Sequence, residues 1–165
     1  MEVKNAVKSL FYPAVGFHFM VSLGGFPKSL YDIQFQSVSG LKAQIGTDTI
    51  IEGGGNGFEH KVPLRRTYSD LVLKRGVLVH HKSELLDWCK EAFSENATGR
   101  GVEPKNLQVV LLNSAHLPIM IWDVIHAWPK SWEYSDLNAE NNEILIETIT
   151  LNYNRSTVKK LAKIL

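Results

Sequence analysis

Histidine and cysteine side chains are the residues of this chain best suited to hold a metal ion. The sequence contains six histidines and a single cysteine, Cys89. His80 and His81 are adjacent, so on a strand their rings point to opposite faces and cannot easily share one ion. The other four, which lack the H-x-x-x-H or C-x-x-C spacing of metal sites, are His18, His60, His116 and His126. The pattern favours histidines that face solvent or are hydrogen-bonded within the fold, and it predicts no metal site.

A glycine-rich run, EGGGNG at 52–57, is the second feature that invites a chemical function. A phosphate-binding Walker loop requires Lys and then Ser or Thr after its last glycine, followed by a helix, whereas FEH follows here. No strand and helix enclose the run, as a dinucleotide fingerprint requires. Ser39 and Ser69 lack the G-x-S-x-G motif of a nucleophile elbow. We therefore predict neither enzymatic activity nor a cofactor.

Composition and charge narrow the class of protein. A chain of 165 residues fits one domain, 1–165, that buries roughly 70% of its unfolded surface. The net charge of +1 argues against a nucleic-acid module with a broad basic face. Two short basic patches, 61–66 and 74–75, favour a solvated edge or ion pairs between subunits. No apolar run approaches the roughly 18 residues of a membrane helix, and charges near the N-terminus argue against a secretory signal. We therefore expect a protein that is made in the cytoplasm and does not associate stably with a membrane.

Apolar residues at helical spacing predict one amphipathic helix in the body of the chain, at 83–94. Ser83 is placed to cap its N-terminus, and Glu84 lies in the positive first turn. Cys89 is expected to be a buried, unreactive thiol. The helix side chains expected to pack inward are Leu85, Trp88 and Phe93.

Alternation of apolar and polar residues predicts strands in both halves of the chain. The predicted strands include 15–23, 31–36, 71–76, 107–112, 117–127 and 144–151. Pro63 is expected to turn the chain, and Pro129 to end the strand that begins at 117. Residues 1–14 are predicted to form an N-terminal arm, and 152–165 a C-terminal tail with a weak helical pattern.

These elements indicate a mainly β (α+β) fold: a small antiparallel β-barrel or sandwich flanked by one α-helix. Six to eight strands are expected, without βαβ alternation. Strands 107–112 and 117–127 carry apolar residues on both faces. The interior of a barrel would bury the apolar side chains of one face, and a single helix would cover only part of the apolar side chains on the other face. Exposed apolar faces of this extent are unusual on monomers, so we expect contact with other subunits.

Several short motifs lie in a fixed order between residues 15 and 151. They are VSGL at 38–41, EGG at 52–54 with Asn56, HKVP at 60–63, LKRG at 73–76, LDW at 86–88, VLL at 110–112, AWPK at 127–130, LNA at 137–139 and IET at 146–148, together with Phe35, Tyr68, Leu71 and Trp122. Each motif alone is weak. Together they resemble the inner tube protein family of contractile phage tails and extracellular contractile injection systems.

The resemblance implies an Hcp-like β-barrel flanked by a helix that assembles as a hexameric ring. Rings would stack into a hollow tube, which a surrounding sheath drives into a target membrane. The implied role is structural, with no enzymatic activity or cofactor. The implied partners are further copies of the chain, a contractile sheath protein, baseplate or spike hub proteins, and cargo or DNA in the lumen. The particle would be a virion tail or an extracellular injection device assembled in the bacterial cytoplasm.

On this interpretation the segment between Leu41 and Tyr68 reaches an adjacent subunit or ring. The residues predicted to make these contacts are Ile50, Ile51, Glu52, Gly53, Gly54, Gly55, Asn56, Gly57, Lys61, Arg65 and Arg66. The ending NYNR at 152–155 departs from the family's usual pattern, and it keeps a baseplate-proximal tube initiator of the same fold as an alternative. A small-ligand-binding β-barrel is a second alternative, although no convergent polar groups mark a ligand site.

Overall fold

The computed structural model describes residues 19–24, 35–50, 58–77, 83–94, 102–113, 115–137 and 143–161. These residues form eight strands and one helix, α1. Their bounds are β1 Phe19–Leu23, β2 Ser37–Ser39, β3 Ala43–Ile50, β4 His60–Tyr68, β5 Leu71–Gly76, α1 Glu84–Ala92, β6 Lys105–Leu112, β7 Pro118–Tyr134 and β8 Ile146–Lys160. The mainly β fold with one flanking helix is confirmed.

The described strands pair in two separate sheets, and every pairing is antiparallel. Six strands form a curled half-barrel in the order β1-β6-β7-β8-β5-β2, whereas β3 and β4 pair with each other. The longest pairing joins β7 to β8, from Met120 opposite Lys160 to Tyr134 opposite Glu147. This ribbon runs the full length of the sheet and carries the shorter strands on its two sides.

The core lies on the face of the large sheet that the helix covers. Leu71 and Leu73 alternate on β5, and they pair with Leu151 and Ile149 on β8, so the four side chains project from one face. All four are fully buried. Each contributes roughly 1.5–3 kcal/mol to folding. Val124 of β7 joins the same cluster, which therefore spans the centre of the half-barrel.

Helix α1 begins where the sequence predicts. Ser83 is its N-cap, and its hydroxyl accepts a hydrogen bond of 3.3 Å from the backbone N–H of Leu86. Leu85 and Trp88 are buried, as expected, and the Trp88 indole N–H donates to the Glu103 carbonyl at 2.9 Å. The prediction for Phe93 is wrong, since this residue is the C-cap and 46% of its surface is exposed. The chain leaves the helical path at Phe93, and its partly exposed ring lies 6.5 Å from the ring of Trp132, which packs against the core.

Cys89 is the buried residue next to Trp88 on the inner face of α1. Burial raises the pKa of its thiol to about 12, and the Glu147 carboxylate adds to the effect. Because the thiolate is the reactive form, the thiol is inert at neutral pH. The predicted burial of this cysteine is confirmed.

Arg75 departs from the sequence interpretation, which placed it in a solvated or inter-subunit basic patch with Lys74. Its side chain is 1% exposed, because two-residue alternation puts it on the same face as Leu71 and Leu73. Its Nε donates to Glu147 Oε2 at 2.8 Å, and Trp132 Nε1 donates to Glu147 Oε1 at 2.8 Å. The charge is therefore satisfied inside the chain.

The predicted C-terminal tail at 152–165 is wrong in its first part, because β8 continues to Lys160. Residues 152–160 pair with β7, and the Leu161 N–H donates to the Ile119 carbonyl at 3.1 Å. The neighbouring strand supplies the backbone hydrogen bonds that decide between strand and helix here, and a weak helical period does not replace them. Residues 162–165, like the arm at 1–14, lie outside the described residues.

Strand β7 continues through Pro129, where the sequence predicts its end. Pro129 lies opposite Leu151, and the register shifts between Pro129 and Ser131, so a bulge accommodates the missing N–H. His126 has a positive φ of 59°, and its N–H donates to Asn106 Oδ1 at 2.9 Å. This second irregularity reverses the alternation, so that Ala127 is buried and His126 is exposed.

Candidate assembly interface

The β3–β4 hairpin is the most exposed structure among the described residues. Every residue of β3 is exposed, and in β4 only Val62 and Tyr68 are partly covered. Among the residues that the structure describes, the two strands pair only with each other. An isolated two-stranded hairpin is marginally stable in water, and its outer edges present unpaired backbone groups. The hairpin is therefore a candidate surface for contact with another chain.

A bulge lies in the middle of the hairpin, where the sequence predicts a turn at Pro63. Pro63 instead lies within β4, opposite Thr47. The register then shifts, so that Leu64 and Arg65 face the single residue Gly46. Because a bulge leaves backbone groups out of the ladder, it tolerates a proline that has no N–H to donate. The turn prediction is wrong for this reason.

Large apolar side chains lie exposed along the hairpin. Ile45 and Leu64 are each 55% exposed, Ile50 is 52% exposed, and Phe58 is 72% exposed. Ile45 and Ile50 are an odd number of residues apart on β3, so they project from opposite faces. Each face of the hairpin therefore exposes at least one large aliphatic side chain.

The structure places four of the predicted contact residues on this hairpin. Ile50 ends β3, and Lys61, Arg65 and Arg66 lie exposed on β4. The remaining seven predicted contact residues, at 51–57, lie outside the described residues. That these side chains touch another subunit stays a prediction.

Sequence reasoning missed three apolar residues of the hairpin, Ile45, Phe58 and Leu64. A signal was present in Thr47, Thr49 and Ile50, which are β-branched residues typical of strands.

The base of the hairpin is held by a compact set of contacts. Gly40 has a positive φ of 90°, and a Cβ at this position would collide with the Asp70 carbonyl oxygen. Only glycine satisfies both conditions. The Tyr153 hydroxyl donates to the Gly40 carbonyl at 3.1 Å, and the Tyr68 ring lies 5.5 Å from the Tyr153 ring. These contacts tie the point where the hairpin leaves the fold to strand β8.

Asp70 completes this base. Its carboxylate accepts from Lys130 Nζ at 2.6 Å and from Asn152 Nδ2 at 2.8 Å, which joins the hairpin base to β7 and β8. The hydrogen bond from Lys130 lowers the pKa of Asp70, and the bond from Asn152 lowers it further. The hairpin thus leaves the sheet from a fixed point.

We expect Asp70→Asn to lower the free energy of unfolding by about 0.5–1 kcal/mol at pH 7, because the ion pair is partly exposed. A depressed folded-state pKa stabilises the protein above the unfolded pKa of about 3.9, and this stabilisation is lost as pH falls through the folded value. The difference between wild type and variant should therefore shrink in acid. Urea unfolding at pH 7 and pH 3 measures it, with Asp87→Asn on the exposed surface of α1 as the control. A pH-independent difference would contradict the assignment.

A row of polar side chains crosses the large sheet on the face opposite α1. Ser37, Lys74, Thr148 and Glu133 are successive cross-strand partners on β2, β5, β8 and β7. Ser37, Lys74 and Glu133 are exposed. On β6 and β7, the apolar residues of this second face are more covered: Val110 is buried, and Ile121 and Ile125 are half-buried. The second face therefore has an exposed polar part, formed by the row through Lys74, and a more covered apolar part on β6 and β7.

Within the described ranges, no three His, Cys, Asp or Glu residues cluster closely enough to hold a metal ion. The described part of the chain also contains no helix with the length and apolar character needed to cross a membrane.

Solved structures of contractile injection systems are similar to this chain over most of its length. A chain of the anti-feeding prophage baseplate is 31% identical, with a TM-score of 0.75, covering 90% of this chain and 97% of the other. A chain of the PVC sheath–tube complex in the extended state is 29% identical, with a TM-score of 0.77 and coverage of 94% and 97%. A chain of the PVC sheath/tube terminator is 32% identical, with a TM-score of 0.73 and coverage of 90% and 97%.

A type six secretion system protein shares the fold at 14% identity, with a TM-score of 0.55 and coverage of 87% of this chain and 83% of the other. No curated protein matches the sequence. The family model for the T4-like virus tail tube protein gp19 matches residues 15–157. With most of the chain covered by that model, the protein belongs to the T4-like tail tube family and is a tail tube protein of contractile injection systems.

Proposed function

We propose that this chain is the repeating subunit of the inner tube, and that it assembles into hexameric rings that stack into a hollow conduit. The observation that carries the proposal is the exposed β3–β4 hairpin, with apolar side chains on both faces and a fixed base. Ile45 and Ile50 are each more than half exposed on a strand of otherwise exposed residues. A single chain does not bury them, whereas a neighbouring subunit would.

The two faces of the hairpin give it two contacts to make. One face of the hairpin, with Ile45, would pack on the adjacent subunit of the ring. The other face, with Ile50 and Leu64, would pack on a second neighbouring subunit that the hairpin reaches. Lys61, Arg65 and the glycine run would lie at these contacts. The outer edge of β3 carries no proline, so it is open to pairing with a further strand, whereas Pro63 removes one donor from β4.

The polar row through Lys74 and Thr148 would line the lumen. A conduit for cargo or DNA needs a wet inner surface to which the moving molecule does not adhere, and mixed Ser, Thr and charged side chains provide one. The role is structural, and no catalytic step is assigned to any residue.

The proposed partners beyond the ring are the contractile sheath and the baseplate or spike hub. Support comes from the similar chains, which belong to a sheath–tube complex, a baseplate and a sheath/tube terminator. We propose assembly in the bacterial cytoplasm, before the particle leaves the cell. The comparably close baseplate chain also supports the tube initiator as the second candidate, which would form a ring but not a continuous tube.

Electron microscopy of the purified full-length protein tests the proposal. We expect six-fold rings at low concentration and hollow tubes one ring wide at high concentration. Rings that never stack would favour the initiator. A monomer that persists from micromolar to millimolar concentration, measured by sedimentation velocity, would overturn both functions.

A further inference from the structure

The two ends of the β7–β8 ribbon carry different exposed surfaces. At the end where β7 finishes and β8 begins, Leu137 is 85% exposed and Ile144 is 78% exposed. The charged residues beside them, Asp136 and Glu143, are exposed and both acidic. The described residues 131–137 and 143–146 contain no Lys or Arg. We call this surface the acidic end.

At the other end of the ribbon, where β7 begins and β8 finishes, Leu117 is 52%, Val158 54% and Leu161 41% exposed. The charged residues there are basic: Lys160 is exposed, and Lys159 is exposed while also pairing with Asp123 at 2.7 Å. Residues 115–119 and 156–161 contain no Asp or Glu. We call this surface the basic end.

The ribbon separates the two ends by up to about 55 Å, the length of a straight strand of 17 residues at roughly 3.3 Å each. Each end exposes aliphatic side chains. Their described charges are acidic at one end and, apart from the Asp123 that pairs with Lys159, basic at the other. Subunits that repeat along an axis meet through two different surfaces, one at each end, and these must complement each other. A surface that met its own copy would close into a dimer and stop growth.

We propose that the acidic end of one subunit docks on the basic end of a subunit in the next ring, and that this contact sets the direction of tube growth. The inference rests on the proposed tube function and names its stacking surface. The occupant is a second copy of this chain, chosen because the two ends match in charge and both expose aliphatic side chains. Apolar contact supplies attraction, and the opposite charges prevent like ends from meeting.

The test uses two matched variants of the full-length chain. The first reverses the basic end with Val158→Glu and Lys160→Glu, and the second reverses the acidic end with Leu137→Lys and Glu143→Lys. Each pair replaces one exposed aliphatic residue and one exposed charge. Lys90→Glu, on the exposed face of α1 and at neither end, is the control. Thermal unfolding and ring formation by size exclusion first establish that each variant is folded.

We expect each variant alone to form rings but to lose at least about tenfold in sedimentable tube, because like charges then face each other across the contact. Mixing the two variants should restore tubes in which they alternate, since the reversed ends now complement each other. The control should assemble like wild type. This rescue is specific to a head-to-tail contact between the two named ends.

The outcomes separate this inference from the proposed function. Wild type that forms rings and tubes while both variants also form tubes, or while the mixture fails to recover, overturns the end-to-end contact and leaves the tube function standing. Loss of rings in either variant assigns that end to a neighbour within the ring and also overturns the inference. Wild type that stays monomeric overturns both.

Discussion

A chain that lacks residues 45–66, with Gln44 joined to Thr67 through an Asn-Gly turn, is expected to remain folded and monomeric. Gln44 and Thr67 are cross-strand partners, so a two-residue turn closes the shortened hairpin without strain. The core cluster contains no residue from the removed segment. Thermal unfolding should therefore stay cooperative, with a midpoint within a few degrees of wild type. Rings and tubes should both disappear, because the proposed function makes the β3–β4 hairpin the surface that contacts neighbouring subunits.

Single substitutions at exposed hairpin residues test the same prediction, with a smaller expected effect on subunit association. Ile45→Ser and Leu64→Ser each remove an exposed aliphatic side chain without touching the core. Burying either residue at a contact is worth about 1.5–3 kcal/mol, so each variant should weaken subunit association about tenfold or more in sedimentation equilibrium. Phe93→Ser, an exposed apolar residue away from the hairpin, is the matched control. A shortened chain that still forms rings would refute the proposed role of the hairpin in assembly. Loss of cooperative unfolding would show that the hairpin belongs to the core.

Arg75→Met is expected to lower the free energy of unfolding by about 3–5 kcal/mol. The substitution removes one partner of the buried pair and leaves the Glu147 carboxylate without its cation, at 2% exposure. Trp132 and Tyr134 remain as neutral partners of Glu147, but neutral hydrogen bonds do not offset a buried charge. Urea unfolding at pH 7, followed by tryptophan fluorescence, measures the loss.

The control for this effect is the double variant Arg75→Met with Glu147→Gln. It removes both charges and keeps an amide oxygen to accept from Trp132, so much of the lost stability should return. A double variant no more stable than Arg75→Met would mean that packing of the Arg75 side chain, whose guanidinium lies 5.3 Å from the Phe35 ring centre, accounts for the loss. A single variant as stable as wild type would show that the pair is exchangeable with solvent.

Local patterns predicted the helix and the central strands, because their signals lie within a few residues. Ser83 caps α1, and the spacing of Leu85 and Trp88 fixes the buried face. Alternation in β5 likewise puts Leu71 and Leu73 inside. Because these features depend only on residues close together in the sequence, the sequence predicts them without knowledge of distant contacts.

The predictions for Pro63, Pro129 and residues 152–160 are wrong for one physical reason: the neighbouring strand, not the local sequence, determines the structure at these positions. Pro63 and Pro129 both lie within strands, next to bulges that only cross-strand register reveals. Residues 152–160 became strand because β7 offers them a ladder of backbone partners. The sequence of such a segment shows no strong preference for one secondary structure. Pairing with the neighbouring strand then determines which structure forms.

The sequence by itself determined a mainly β fold and a buried Cys89. It predicts, without a catalytic motif, that the segment between Leu41 and Tyr68 contacts another subunit. Only the tertiary structure decided that this segment is a hairpin fixed at Gly40 and Asp70. Likewise, only the pairing of β5 with β8 buries Arg75 against Glu147, 72 residues away. The physical reason is that burial, charge pairing and strand register depend on residues distant in sequence, whereas periodicity and capping do not.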